Sequence, residues 1–246
     1  MEARLIIDGH HSGPWNMAAD EVLWQASLDA GLPTLRFYQW SEPWLSLGYF
    51  QRAEERSSHP PSAKLPFVRR ISGGGAILHH FELTYCLVLP PLSCKHVEPT
   101  DVYEWVHQAA VDVLSEQAVT AHIVRPTPAP AANVPFLCFH RRAAHDVCIG
   151  AHKVLGSAQR RRHATLLQHG SLILKPSPFA PDILGTSAAG DHLPDDADFW
   201  IARWSDHLAR RLGWRWTVQP WSEGERQRIE SLAKEKYSSD AWNLRR

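Results

Sequence analysis

The stretch Arg69-Arg70-Ile71-Ser72-Gly73-Gly74-Gly75-Ala76-Ile77-Leu78-His79-His80 decides how this chain is read, because two arginines run directly into three consecutive glycines. Glycine has no Cβ and accepts positive φ. A triple glycine therefore lets backbone N–H groups press against a carbonyl or a phosphate, at a cost in backbone entropy. The pattern is neither G-x-x-x-x-G-K-[ST] nor G-x-G-x-x-G, which sets it apart from the common phosphate loops. Taken alone, it is either a tight connection between strands or a ligand cradle. Phe67-Val68-Arg69-Arg70 enters it, and Glu82-Leu83-Thr84-Tyr85-Cys86-Leu87-Val88-Leu89-Pro90 leaves it as a strand stopped by prolines, so the loop is expected to join two sheet strands.

Further out, Leu5 to Gly9 reads as a short strand, and Asn16 to Trp24 as a helix with Asn16 as its cap. Thr34-Leu35-Arg36-Phe37-Tyr38-Gln39-Trp40 alternates and is rich in β-formers, and Trp44 to Phe50 should be another strand. Val102 to Gln117 carries apolar residues near helical spacing and should pack on the sheet. Arg125 to Pro135 holds prolines at 126, 128, 130 and 135 and should be an extended connection. Asp146 to Gly156 looks like a hairpin turning near Gly150, and Leu166 to Leu174 gives one more strand. Two helices, Asp198 to Leu212 and Ser222 to Lys236, flank a strand at Trp214 to Val218. Strands cluster instead of alternating regularly with helices. The expected fold is thus an α/β (α+β) single domain spanning 1–246, with a mixed, largely antiparallel sheet, packed helices and no C-terminal accessory domain.

The 246 residues suffice for a substantial core, and 26 Lys plus Arg balance 26 Asp plus Glu, so no basic field recruits nucleic acid. The four cysteines, Cys86, Cys94, Cys138 and Cys148, contain no C-x-x-C pair, which argues against a zinc ribbon or a thioredoxin-type site. The start of the chain has no basic-then-apolar signal, and no apolar run approaches the roughly 20 residues a bilayer span needs. A cytoplasmic protein with free thiols and no membrane partner is expected. Six of the eleven tryptophans crowd the last third, where they serve either core packing or the lining of an apolar tunnel.

Four blocks in order carry a family resemblance: Asn16-Met17-Ala18-Ala19-Asp20-Glu21; Leu35 to Trp40 with Leu45-Ser46-Leu47-Gly48-Tyr49-Phe50-Gln51; the arginine–glycine loop through Tyr85; and His152-Lys153-Val154-Leu155-Gly156-Ser157-Ala158-Gln159-Arg160 with Leu167-Gln168-His169-Gly170-Ser171. With the closing Glu235 to Asn243 segment, the chain resembles the lipoate-protein ligase, octanoyltransferase and biotin-ligase superfamily over nearly its whole length. The fold implied is the biotin/lipoate protein ligase-like catalytic domain.

The resemblance implies that the arginine–glycine loop embraces an acyl chain and that Lys153 meets the acyl carbonyl, a role that suits a point-charge donor beside an apolar pocket. Arg70, Gly73, Gly74, Gly75, His79, Gly156, Ser157 and Ala158 are the implied substrate-binding residues. Cysteine-dependent octanoyltransferases carry a Cys-Phe pair upstream of the lysine block, and Cys138-Phe139 stands fifteen positions before Lys153 in a comparable place. Cys138 is then the nucleophile, since a thiolate accepts an acyl group from a thioester and passes it to an amine in two easier steps. Lys153 favours both the thiolate and the oxyanion. Cys148, five residues before Lys153, is the rival thiol. His79 matches the family's histidine after the glycine loop, His80 departs from the usual Asp or Asn, and His169 either buttresses the site or fills the core.

The leading expectation is an octanoyltransferase of lipoate biosynthesis, moving an octanoyl group from acyl carrier protein to a lysine of lipoyl-accepting domain proteins, with no cofactor required. The alternatives are an ATP-dependent lipoate-protein ligase using ATP and magnesium, a lipoyl or octanoyl amidotransferase working through the same thioester, and a non-catalytic binding module. Arg160, Arg161 and Arg162 either face an acidic carrier protein or form a solvated hairpin edge.

Overall fold

Two segments that are buried along their entire length, Glu82–Leu89 and Thr165–Ile173, set the middle of the fold. A strand covered on both faces has no solvent side for polar residues to face, so the polar side chains these two carry, among them Glu82, Thr84, Gln168, His169 and Ser171, are buried and hydrogen-bonded inside the protein. The computed structural model describes residues 1–28, 31–126, 135–162, 164–190 and 192–245. In chain order its strands are β1 (Glu2–His11), β2 (Thr34–Trp40), β3 (Trp44–Leu47), β4 (Phe67–Arg69), β5 (Ile77–His79), β6 (Glu82–Leu89), β7 (Ala121–Ile123), β8 (Val147–Ile149), β9 (His152–Arg162), β10 (Thr165–Ile173) and β11 (Arg215–Val218). The α-helices are α1 (Gly13–Ala26), α2 (Pro99–Glu116), α3 (Ala197–Leu212), α4 (Glu223–Leu232) and α5 (Asp240–Asn243).

Eight strands form one sheet in the order β11-β1-β2-β6-β10-β9-β8-β7. β1 runs parallel to both β11 and β2, while every other pair is antiparallel. The sheet is thus mixed and largely antiparallel, as expected. Side chains alternate across it: Leu83, Tyr85 and Leu87 join Leu35, Phe37, Trp200 and Trp204 under α2 and α3. Cys86 and Val88 join Tyr38, Trp40, Met17, Val22 and Trp221 under α1 and α4. The tryptophans of the last third are core: Trp200 and Trp204 are almost wholly buried, and Trp214 and Trp216 pack against the same cluster.

Four departures from the sequence reading shape the site and its supports. First, a second sheet, β4-β3-β5, carries the glycine loop between β4 and β5, so the loop joins two short strands of a side sheet and β5 intervenes before β6. Second, helix α1 starts earlier, capped by Ser12 with proline in its first turn. Asn16 lies inside it, its Nδ2 donating to the carbonyls of His11 (3.2 Å) and Gln39 (3.1 Å). Third, the second strand of the pair at 44–50 stops at Leu47, because Gly48 packs directly on the Gly74 carbonyl, leaving no room for a side chain there. Fourth, the helix expected to reach Lys236 changes after Leu232 into a wider turn, Ala233–Tyr237. Of the expected connection Arg125 to Pro135, residues 127–134 lie outside the described residues. Among the described residues no helix is long and apolar enough to cross a membrane.

Candidate active site

The glycine loop and the thiol are stitched together by backbone. Ala76 N–H donates to the Phe136 carbonyl (3.1 Å) and Cys138 N–H to the Ala76 carbonyl (2.7 Å), forming a parallel bridge between Ala76 and Leu137. Cys138 then opens a short 3-10 turn through His140. Gly75 lets the two segments come this close, since a Cβ there would sit a tight 3.3 Å from Cys138 Cα and 3.0 Å from an Arg141 guanidinium nitrogen. Gly74 adopts φ +93°, a conformation that glycine reaches without strain.

Lys153 comes from the other side. The hairpin turns at Gly150, as expected, and the second residue of β9 sends its ammonium to 3.4 Å from Cys138 Sγ. The same Nζ lies 2.9 Å from Asp146 Oδ2, and both of these side chains are buried. Asp146 is fixed in turn by the Ala143 N–H, which donates to the same oxygen at 2.7 Å. The room for the lysine is made by Gly156, where a Cβ would overlap Lys153 Cε and stand 2.6 Å from its Nζ. The K-V-L-G spacing thus has a steric reason.

The electrostatics follow from this packing. Burial opposes a thiolate at Cys138, but Lys153, with help from Arg141 and Arg70, outweighs it and holds the thiol below its ordinary value. Burial also opposes charge on Lys153, yet Cys138 and Asp146 keep its pKa above the usual lysine value. Both shifts favour a thiolate beside an ammonium over the neutral pair. The rival Cys148 is fully buried and its thiol is pushed up by burial, as are those of Cys86 and Cys94.

Of the other expected site residues, Arg70 stands behind the loop. Its guanidinium donates to the carbonyls of Gly73 (3.0 Å) and Gly75 (2.9 Å), and to Ser46 Oγ (2.7 Å). Ser46 Oγ lies 2.7 Å from His79 Nε2, and His79 Nδ1 lies 2.7 Å from Glu82 Oε1. His79 is stacked on Trp40 with ring centroids 3.7 Å apart. Arg70 and His79 thus form a buried brace that fixes the loop's shape. Gly73 lies under the exposed ring of Phe50. Ala158 pairs with His169 across the β9–β10 ladder. Ser157 turns the other way, toward α2, where its Oγ meets His107 Nε2 and the Tyr85 hydroxyl, each at 2.7 Å.

His169 does buttress the loop: Nε2 lies 2.5 Å from Ser72 Oγ and Nδ1 lies 2.8 Å from Asp20 Oδ2. Asp20 also accepts from Arg36 Nη1 (2.8 Å) and the Tyr38 hydroxyl (2.9 Å). His80 reaches Ser177 Oγ at 3.0 Å. Arg160 donates to the Ile71 carbonyl at 2.8 Å and lies over the rings of Trp24 and Tyr49, so it braces the loop as well. Sequence reading missed Asp146. A lone aspartate before an apolar strand carries no pattern, and only the hairpin's closure shows that it faces Lys153.

Around the thiol, Ile77, Phe139, Ile173 and Ile183 form an apolar cluster against which Cys138 packs. A narrow slot beside it is lined by Ala76, Leu78, Leu137 and Ala180 together with Phe139, Ile173 and Ile183. On the solvent side, an open groove of about 390 Å³ runs past Lys153 between His140, Arg141, Arg142 and His152. Among the described residues no cluster of side chains could hold a metal ion.

Residues 12–186 match the family model described as the lipoyl protein ligase A/B catalytic domain. The octanoyltransferase LipM of Symbiobacterium thermophilum is 31% identical over 277 residues, covering 99% of this chain and 98% of that protein. The octanoyltransferase LipM of Kyrpidia tusciae is 32% identical over 271 residues, with 99% and 98% covered. The bi-partite lipoate protein ligase of Thermoplasma acidophilum, studied with its E2 lipoyl domain, shares the fold with a TM-score of 0.76 and 21% identity, covering 99% of this chain and 96% of that one. A glycine loop clamped to a Cys–Lys pair, on a fold matched end to end by lipoate enzymes, places the chain in the lipoyl protein ligase A/B catalytic domain family, with octanoyltransferases among its full-length relatives.

Proposed function

We propose that this octanoyltransferase of lipoate biosynthesis carries the octanoyl group on Cys138, taking it from acyl carrier protein and giving it to a lysine of a lipoyl-accepting domain. The observation that carries the reading is the 3.4 Å contact between Cys138 Sγ and Lys153 Nζ. In the first half-reaction the thiolate attacks the carrier thioester, a new C–S bond forms, and the carrier sulfur leaves with a proton from the Lys153 ammonium. In the second half-reaction, the neutral acceptor amine attacks the Cys138 thioester. A C–N bond forms, the amine's proton passes to the now neutral Lys153, and the Cys138 thiolate is released. Each half-reaction balances, and the resting ion pair is restored. Acylation itself prepares the second half, because it removes the thiolate charge that chiefly sustains the buried Lys153 ammonium.

In this scheme the acyl tail lies against the apolar cluster of Ile77, Phe139, Ile173 and Ile183 beside the thiol. The groove lined by His140, Arg141, Arg142 and His152 suits the arm and the acidic surface of a carrier protein. In this reading the carrier docks at the basic mouth instead of at the Arg160-Arg161-Arg162 run, of which Arg160 braces the glycine loop. No nucleotide or metal enters the scheme, and a reducing cytoplasm keeps the free thiol available.

Incubation with octanoyl-acyl carrier protein in the absence of ATP, followed by intact mass before and after hydroxylamine, tests the scheme. The expected result is an octanoyl-sized gain that maps to Cys138 and disappears with hydroxylamine. No adduct, together with lipoate activation once ATP and magnesium are supplied, would move the chain to the ligases.

A further inference from the structure

Helix α2 places a polar side chain, His107, completely inside the protein on the flank of the Cys–Lys pair. Its two ring nitrogens have unlike partners. Nδ1 lies 2.5 Å from the backbone carbonyl of His145, and Nε2 lies 2.7 Å from Ser157 Oγ. A carbonyl only accepts, so Nδ1 carries the proton and donates it. Nε2 of the neutral ring is then the acceptor, which leaves the Ser157 hydroxyl as its donor. Ser157 Oγ in turn accepts from the Tyr85 hydroxyl at 2.7 Å, and the Tyr85 oxygen accepts from Gln168 Nε2 at 2.6 Å. The direction of every bond in this chain follows from one buried carbonyl.

That carbonyl belongs to the residue immediately before Asp146. His145 adopts φ +70°, a strained conformation for a residue with a side chain, and it is held there from several sides. Its N–H donates to the Val124 carbonyl at 2.8 Å, its ring stacks on Tyr103 of α2 at 5.4 Å, and its carbonyl takes the His107 proton. Asp146 then reaches Lys153 at 2.9 Å, and Lys153 reaches Cys138 at 3.4 Å. The titratable groups that face His107 are Tyr103 on its own helix, His145, Lys153 and, through Ser157, Tyr85.

We propose that His107 is a positioning residue for acyl transfer: by holding the His145 carbonyl it fixes the strained turn that aims Asp146 at Lys153, and thereby holds Lys153 against Cys138. The inference rests on the Cys138 reading. The two fail differently, because absence of any acyl adduct on the unaltered enzyme sinks the Cys138 scheme without touching the geometry tested here.

Two amide substitutions separate the bonds. His107→Asn places its amide N–H near the position of Nδ1 and keeps the bond to the His145 carbonyl, while His107→Gln reaches toward Ser157 and gives that bond up. The pH dependence of Cys138 alkylation by iodoacetamide is followed by peptide mass for the enzyme and both variants, beside kcat for octanoyl transfer. The Gln variant is expected to raise the Cys138 titration midpoint by at least about half a pH unit and to lower kcat by about tenfold or more, with KM for the carrier substrate nearly unchanged. The Asn variant is expected to stay near the unaltered midpoint and within about threefold in kcat. Equal behaviour of the two variants, or an unmoved midpoint in the Gln variant, overturns the proposal. A measurement on the unaltered protein decides independently of variant folding: nitrogen NMR of the labelled histidine is expected to show a neutral ring protonated at Nδ1 at pH 7. A charged ring or an Nε2-protonated tautomer there overturns it equally.

Discussion

At the scale of single residues, the site depends on a missing side chain as much as on the thiol. The ammonium of Lys153 occupies the volume that a Cβ on Gly156 would need, so Gly156→Ala forces the lysine away from Cys138 without altering any reacting group. Acyl-enzyme formation in single-turnover mass measurements is expected to fall about 100-fold, since a displacement of about 1 Å at a reacting group costs that much. Lys153→Gln tests the charge instead. Lys153 is the strongest influence lowering the Cys138 pKa, so its removal should carry the alkylation midpoint up into or beyond the ordinary thiol range. A midpoint that stays put would show that Arg141 and Arg70 suffice. Cys138 and Lys153 were legible in the sequence because their blocks resemble those of known enzymes, and the geometry brings the two together. Asp146 and His107 were not legible. Neither stands in a motif, and each reaches the site only because a hairpin and a helix close over the same turn. Arg70 and His79 illustrate the opposite case, in which the motif was plain but the bonds to Gly73, Gly75, Ser46 and Glu82 put both residues behind the loop.

At the scale of elements, strands were more legible than the connections that aim them. The span of β2 reads directly from alternation at Thr34–Trp40, and the hairpin turn at Gly150 follows from the glycine. Strand β5 was hidden in the tail of the glycine motif, because three residues are too few to show a period. The start of α1 was missed for a different reason: Asn16 is as good a cap as Ser12, and only tertiary bonds to His11 and Gln39 show that it has other work. Strand β10 holds a glycine, Gly170, whose purpose is visible only in its ladder with β9. Gly170 pairs with Ser157, and a Cβ there would collide with Ser157 Oγ and the Gly156 carbonyl. Gly170→Ala is therefore expected to cost about 1–3 kcal/mol through overpacking. It should lower Tm by roughly 5 °C, and to push Ser157 off His107. Circular dichroism melting checks the first effect. An unchanged Tm would mean that the two central strands part without penalty.

At the scale of the whole molecule, buried titratable groups tie distant parts of the chain together and set its response to acid. Arg36 is wholly buried and pairs with Asp8 on β1 (2.9 Å) and Asp20 on α1 (2.8 Å), while Trp221 from the C-terminal third donates to Asp8 at 2.9 Å. Burial alone would raise the Asp8 pKa, but the bonds from His11, Arg36 and Trp221 overcome it and hold the group well below the usual carboxylate range. Its contribution is present above the unfolded carboxylate value and is lost as pH falls through the lower folded value. His107 acts earlier. Burial lowers its pKa from 6.5 to about 4, chiefly because no water reaches the charged form. An imidazole that must stay neutral when folded but protonates freely when unfolded stabilises fully above the unfolded value, and that stability drains away as pH falls toward the folded one. The shift corresponds to about 3 kcal/mol. The protein is thus expected to lose stability between pH 6.5 and about 4, with a slope near one proton from this residue and a further share from His79, which burial also holds below its ordinary value. Urea unfolding at a series of pH values measures the slope. Replacing His107 with Gln should flatten it by about 1.4 kcal/mol per pH unit in this range, whereas Asp8→Asn should flatten the curve only below the unfolded carboxylate range. The two effects therefore separate by pH, and a His107 variant with an unaltered slope would mean that the ring is already protonated in the folded state.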